Sequence, residues 1–311
     1  MESAIWALET YELDKEAWEQ LMDDKEEPYI SLWKTTTASE LAQKAMDKTK
    51  KTFEQMVLQQ YHHHQKVFSE EASQRFPPTQ TWDHAIELLP EAPKTLDCKV
   101  YPLALTEGDA LTSFLNEQLA KGYICPSKSP YTSPFFFIKK KDGKLWPVQD
   151  YWKLNVLTVK NQYFLPLIPE IIDKVQDARL FTKLDIWCGY NNIRIKEGDE
   201  WKASFKMNQG LYEPRVMFFR LMNLPSTFQT MMDTIFHDLI LTNEVIVYIY
   251  NILIATTNNT EHHHEVVHQI LYRLEEHDLY LKPEKCTFEV SEVEYLLAME
   301  KYEWIPSKYK A

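Results

Sequence analysis

An α+β fold is the class this sequence predicts, on three observations. Between about residues 106 and 298, runs rich in β-branched and aromatic residues alternate with stretches of helical periodicity. The 311 residues are 44% hydrophobic and 13% aromatic, enough for one large core or two modest ones. No internal repeat or low-complexity tract interrupts them, so neither a solenoid nor a disordered chain is indicated.

Residues 1–75 are rich in Glu, Lys, Gln and Ala, and the stretch ASELAQKAMDKTKKTFEQMVLQQYHHHQKVF has the spacing of a helical lead-in. The next stretch, SQRFPPTQTWDHAIELLPEAPKTLDCKVYPLA, holds five prolines and reads as an extended connector crossing a surface. A helix is predicted over 106–120. In SPFFFIKKKDGKLWPVQDY two β-rich runs flank Asp142–Gly143, a dipeptide that closes hairpins.

A helix near 168–176 then precedes ARLFTKLDI, a buried-strand pattern that ends in Asp185. Further strands are expected at about 192–196, 202–207 and 211–219. Pro225 opens the helix PSTFQTMMDTIFHDLI, where its missing N–H costs nothing. EVIVYIYNILIATT gives two β-branched runs around Tyr250–Asn251. A helix at about 260–278 and a closing strand near 292–298 complete one sheet with its helices.

Composition excludes several classes. Cys98, Cys125, Cys188 and Cys286 lie far apart with no CxxC pair, so neither a zinc module nor a disulfide framework is signalled, and a reducing compartment is expected. No run is long and apolar enough for a membrane span, and the acidic start MESAIWALETYELDKE is unlike a secretory signal. The expected location is intracellular, cytoplasmic or nuclear, without membrane partners. A net charge of −12 opposes nucleic-acid binding, yet residues 121–160 carry eight lysines against two aspartates. A basic hairpin on an acidic body can grip a phosphate backbone, or can be a solvated face.

Five blocks, in order, carry a resemblance: FFFIKKKDGKLWPVQDYWKLN, LFTKLDIWCGYNNIRIKEGDEWKASFK, GLYEPRVMFFRLMNLPSTFQTMMD, VYIYNILIATT and HDLYLKPEKCTFEVSEVEYL. Over roughly 100–298 they resemble the reverse transcriptases of gypsy-class LTR retrotransposons, and FPPTQTWDHAIELLP is similar to the segment that joins protease to reverse transcriptase in such polyproteins. The resemblance implies a right-hand polymerase fold, with fingers and palm at 106–298, a helical N-terminal extension at 1–75, a connector at 76–105 and a divergent tail at 299–311. No Asp-Thr-Gly or Asp-Ser-Gly occurs, and the likeness stops near residue 300, so a truncated module is expected.

The resemblance also implies the chemistry. In this family aspartates on the palm sheet hold two Mg2+ ions, which activate the primer 3′-hydroxyl, hold the dNTP and neutralise developing charge. The first aspartate matches Asp185. The Tyr-x-Asp-Asp tip matches Tyr248, Ile249, Tyr250 and Asn251, so both aspartates there are replaced. Tyrosine is neutral near pH 7, and an Asn amide offers one neutral oxygen, so a single carboxylate remains. Asp185 is either the surviving metal ligand or a strand-end carboxylate that caps a turn.

Other departures agree. Trp146 and Trp152 stand where the family has arginines, the first of which contacts the triphosphate. Phe-Gly-Leu reads Phe219–Arg220–Leu221, placing a long cation where the family keeps a small residue, and Tyr-Leu-Gly reads Tyr295–Leu296–Leu297. Lys140 matches the lysine that reaches the triphosphate. Tyr190 matches the aromatic residue under the sugar, or is an ordinary core tyrosine. Lys139, Lys141 and Lys144 are the nucleic-acid-binding candidates, for an RNA or DNA template-primer, and Gln149, Asp150 and Asn155 are read as structural.

The expected function is therefore a degenerate RNA-directed DNA polymerase, a pseudoenzyme; the rival is a protein that keeps the fold to bind nucleic acid or act as a scaffold. Most of these replacements can be read as single-base transitions, which suggests decay. His264 and His268, one helical turn apart beside Glu261 and Glu265, have metal-chelating spacing, although a solvated helix face is the expected reading; the same holds for His62–His64.

Overall fold

The computed structural model describes residues 52–139, 145–187, 189–257 and 259–293, all within a compact unit that begins at Lys51. The helical reading of residues 1–51, the Asp142–Gly143 turn with Lys140, Lys141 and Lys144, and the tail from Glu294 with Tyr295–Leu297 lie outside these residues.

The described chain is α+β, with two sheets rather than the single expected one. Strands β1 (Ile124–Pro126), β2 (Ser133–Lys139), β3 (Leu145–Gln149), β5 (Phe205–Met207) and β6 (Gly210–Pro214) form a sheet of order β1-β6-β5-β2-β3. Strands β4 (Leu180–Asp185), β7 (Val245–Tyr248), β8 (Asn251–Thr256) and β9 (Thr287–Val290) form a second, of order β7-β8-β4-β9. After two single-turn helices, Phe53–Met56 and Glu70–Ser73, the helices are α1 (Leu105–Ala120), α2 (Trp152–Val156), α3 (Ile168–Val175), α4 (Leu224–Ile235), α5 (His237–Ile240) and α6 (Thr260–Glu276).

Local chemistry explains most boundaries. The Glu107 carboxylate accepts the Ala104 N–H at 2.8 Å and opens α1. The Asn259 side chain accepts the His262 N–H at 3.2 Å and opens α6. Pro225 sits in the first turn of α4, as expected. The helix breaks at Phe236, so the predicted continuous helix is α4 followed by α5.

Three strand assignments are corrected. Residues 192–196 form no strand: a 3-10 turn ends at Asn192, and Arg194 and Ile195 make only isolated bridges, to Val216 and His84. Residues Glu200–Ala203 are a 3-10 turn, so β5 is shorter than 202–207, and β6 stops at Pro214. A further strand, β9, ends at Val290, and the closing strand expected near 292–298 lies almost wholly outside the described residues. Alternation of apolar residues marks burial on one side, but pairing also requires an open edge on a neighbour.

The proline-rich connector does not simply cross a surface. His84 and Ile86 are buried, and the backbone bridges Ile195, Thr158 and Tyr131 in turn. Its sparse pattern hid these contacts because each involves a single residue.

The second sheet is held by buried faces of both long C-terminal helices. In α6, His263, Val266, Val267, Ile270, Leu271 and Leu274 recur at helical spacing and are buried. His263 bonds Thr182 of β4 and Thr256 of β8, both at 2.8 Å, so the helix is pinned across that strand pair. A 3-10 segment, Gln59–Phe68, packs on α6 and buries Tyr61, Val67 and Phe68 in the same core. α4 contributes Leu224, Phe228, Met231, Met232 and Ile235. Truncating a side chain as enclosed as Phe228 to Ala costs ~3–5 kcal/mol.

Candidate active site

The second sheet brings three sequence-predicted residues together. Asp185 ends β4 and pairs directly with Asn251, which in turn pairs with Tyr248 on β7. Cross-strand partners point to one face, so Asp185, Asn251 and Tyr248 form a row across three strands. Asp185 and Asn251 are each only 6% exposed.

The hairpin tip is Ile249–Tyr250, and Ile249 has φ 53°. A β-branched residue in the left-handed region is strained, and such strain persists only where neighbours impose it. Gln229 of α4 is the neighbour. Its buried Oε1 accepts the Ile249 N–H at 2.8 Å, and its Nε2 donates to the Val247 carbonyl at 3.1 Å and to Asp233 at 2.8 Å. The sequence reading missed Gln229. Its signal was a polar residue on the apolar stripe of a helix.

Electrostatics at the row are dominated by lysine. Burial pushes the Asp185 carboxyl above its ordinary pKa, while Lys285, Lys282 and Lys183 pull it back. Lys285 Nζ lies 3.7 Å from Asp185 Oδ2, and the Lys282 N–H donates to the Asp185 carbonyl at 2.9 Å. Both lysines come from the LKPEK stretch before β9, and sequence reading assigned them nothing. The sole group of three or more metal-ligand candidates among the described residues is histidine, away from this row.

Tyr250 packs at Gly189, whose Cβ, if present, would meet the Tyr250 ring carbon Cδ1 at 3.7 Å. Tyr190 lies near both. Its phenol is held above its usual pKa by burial first, then by Tyr250 and Tyr248. Its ring meets Phe219 and Phe228 edge-on, with centroids 5.3 and 5.8 Å away. Phe219 continues to Trp146 of β3 at 6.4 Å, so aromatic rings run from the first sheet through Tyr190 to Phe228 of α4. Trp146 and Phe219 are 42% and 55% exposed.

Arg220 has φ 73°, the left-handed region that favours glycine, at the position where the sequence resemblance leads one to expect glycine. Asn155 holds this turn: its side chain donates to the Arg220 carbonyl at 2.7 Å and accepts the Met222 N–H at 2.9 Å. Asp150 accepts the Trp152 N–H at 3.0 Å, and Gln149 is buried. Lys139 is exposed at the end of β2, on the other sheet from Asp185. The thiols of Cys98, Cys125 and Cys286 are free, and no helix among the described residues is long and apolar enough to cross a membrane.

Residues 138–297 match the family described as reverse transcriptase (RNA-dependent DNA polymerase), and this span is more than half of the chain. The chain belongs to the reverse transcriptase family. Its similarity to the Transposon Tf2-7 and Tf2-8 polyproteins of Schizosaccharomyces pombe is 32% identity over 237 residues, covering 76% of this chain. The chain spans about 18% of the length of those relatives. Among solved structures it is similar to the foamy viral protease-reverse transcriptase in complex with an RNA/DNA hybrid, with TM-score 0.65 and 13% identity over 84% of this chain and 35% of that one. The dRH form of that enzyme in complex with ds DNA gives TM-score 0.67 and 15% identity, over 87% of this chain and 47% of that one. At such identities the likeness establishes the reverse transcriptase polymerase fold.

Proposed function

We propose that this chain is the fingers and palm of a gypsy-class retrotransposon polyprotein and that this copy does not polymerise. In this reading residues 106–298 are the polymerase region, 1–75 an N-terminal extension, 76–105 a connector and 299–311 a divergent tail. The observation that carries it is the row Tyr248, Asn251, Asp185, which offers one carboxylate already 3.7 Å from an ammonium group.

Two Mg2+ ions require converging anionic oxygens, because each ion gives up hydration reluctantly and their mutual repulsion must be offset. Asn251 and Tyr250 add no charge, and Lys285 opposes a cation at Asp185. These residues do not fit the metal pair that the family implies. Losing a required ligand removes several kcal/mol of transition-state stabilisation, or many decades of rate at ~1.4 kcal/mol per decade.

The nucleotide position is weakened in the same direction. Trp146 offers one neutral N–H where a planar cation would meet a triphosphate. Lys140 and Tyr190 are the residues left to bind a dNTP, with Lys139, Lys141 and Lys144 along an RNA or DNA template-primer. The complexes of the foamy viral enzyme with RNA/DNA hybrid and ds DNA support that partner class.

Primer extension with Mg2+ or Mn2+ tests the reading, comparing the chain as it stands with Tyr250→Asp plus Asn251→Asp. Extension only by the double variant is expected; extension by the unaltered chain would sink the proposal. A second reading, binding without catalysis, is favoured by the eight lysines against two aspartates in residues 121–160. It requires affinity for an RNA–DNA duplex that falls steeply with salt.

A further inference from the structure

Histidines crowd two places in the sequence, residues 62–64 and 262–264 with 268, and neither contributes a residue to the Asp185 row. The fold sorts them in a way that spacing does not reveal. His62 bonds the Val57 carbonyl at 2.9 Å, His262 bonds Glu244 at 2.9 Å, and His264 meets Glu289 at 3.1 Å. His263 is committed to Thr182 and Thr256. His63, His64 and His268 remain, and one ring nitrogen from each lies within 4.8 Å of the others.

The 3-10 segment explains how two consecutive residues can share a site. It kinks at His64 (φ −90°, ψ 22°), and the His63 and His64 ring centroids stand 4.0 Å apart on one side. His268 of α6 completes the group, 4.9 Å from His63 and 5.5 Å from His64 by ring centroid. The expected i, i+4 pair of His264 and His268 is not the pair that meets.

His64 Nε2 and His268 Nδ1 are 3.3 Å apart. Two nitrogens on one tetrahedral zinc, each at ~2.0–2.1 Å, stand about 3.4 Å apart, so this pair already has ligand spacing. His64 is buried, and its other nitrogen, Nδ1, faces Glu275 at 3.8 Å. A carboxylate behind the non-ligating nitrogen is the usual outer partner of a metal-bound imidazole, because it fixes the tautomer and the ring plane. His63 is exposed, so its ring can swing about an ångström to close the third bond and leave a fourth position for water.

We infer that His63, His64 and His268 bind one divalent transition-metal ion of the zinc, nickel and copper class, which clamps the 3-10 segment to α6. Imidazole nitrogens favour these ions over Mg2+, which prefers oxygen. The site uses no residue of the Asp185 row and does not depend on whether the chain polymerises.

The test titrates Zn2+ into the metal-stripped full chain by calorimetry with excess Mg2+ present, beside His63→Gln, His268→Gln and His262→Gln. One equivalent should bind to the unaltered chain and to His262→Gln, with affinity at least about tenfold lower in the other two. Zinc should also raise Tm in the first pair only, since an ion that binds the folded state alone stabilises it. Circular dichroism of the zinc-free proteins checks folding, and the exposed His63 keeps the test open should His268→Gln misfold. No zinc uptake, uptake unchanged in both site variants, or equal loss in His262→Gln would overturn the site.

Discussion

The tip of the β7–β8 hairpin and the turn at residues 219–223 both depart from the family pattern, with opposite physical consequences. At the tip, Asn251 occupies a paired strand position opposite Asp185 with no change that the backbone would register. In the proposed reading, what is lost there is charge. At the turn, Arg220 sits at φ 73° where the family keeps glycine, so the backbone itself carries the change. In the proposed reading, one replacement alters the chemistry of a row and the other the conformation of a turn, so reverting each should move different observables.

The largest effect is expected at the tip. Tyr250→Asp plus Asn251→Asp should raise primer extension by several orders of magnitude, while the added carboxylates beside Asp185 lower Tm in the absence of a divalent cation. A gain no larger than a few-fold, with the fold intact, would move the decisive loss to Trp146 and the triphosphate position. The contrast between chemical and conformational damage would then fail.

A pH titration probes the support beneath both regions. His263, under the hairpin strands, and His84, which bonds Thr227 of α4 at 2.9 Å, are each lowered by burial to about 4. A histidine freed by unfolding takes up its proton near pH 6.5, well before the folded one does. Between those values the unfolded state binds more protons, so the stability these groups contribute is present above about pH 6.5 and is lost as pH falls toward 4. The unfolding free energy from urea titration should drop over that window, by about a few kcal/mol in all. A flat profile would mean that neither ring is buried uncharged.

Gln229→Ala should cost ~1–3 kcal/mol in chemical denaturation, because it leaves the Ile249 N–H and the Val247 carbonyl without their partner. In the double revertant it should also lower extension, which would tie tip geometry to activity. The smallest effect belongs to the turn. Arg220→Gly relieves ~1–2 kcal/mol of left-handed strain and gives back ~0.5–1 kcal/mol of unfolded-chain entropy, so Tm should rise by the equivalent of up to about 1 kcal/mol. Extension by the unreverted tip should not change.

Much of this was legible beforehand. Helix α1, the β2–β3 hairpin, β4 ending at Asp185 and the β7–β8 hairpin follow from periodicity and turn chemistry, and the collinear blocks named the family. The short strands were not legible. β5 and β6 are three and five residues long, too short for alternation to separate them from the 3-10 turns beside them. Gln229 was passed over because a polar residue on an apolar face has no meaning until its partner across the core is known.

The sequence by itself determined the family, the order of the main elements and that Asp185 is followed by Tyr250 and Asn251 rather than by further acids in those blocks, because residue identity and local period are properties of the chain. Only the tertiary structure decided that Asp185 faces Lys285, that Arg220 stands at a left-handed position and that His63 and His64 meet His268. The physical reason is that ion pairs, backbone strain and ligand clusters depend on distances between residues a hundred or two hundred positions apart. Those distances exist only once the sheets and helices have packed.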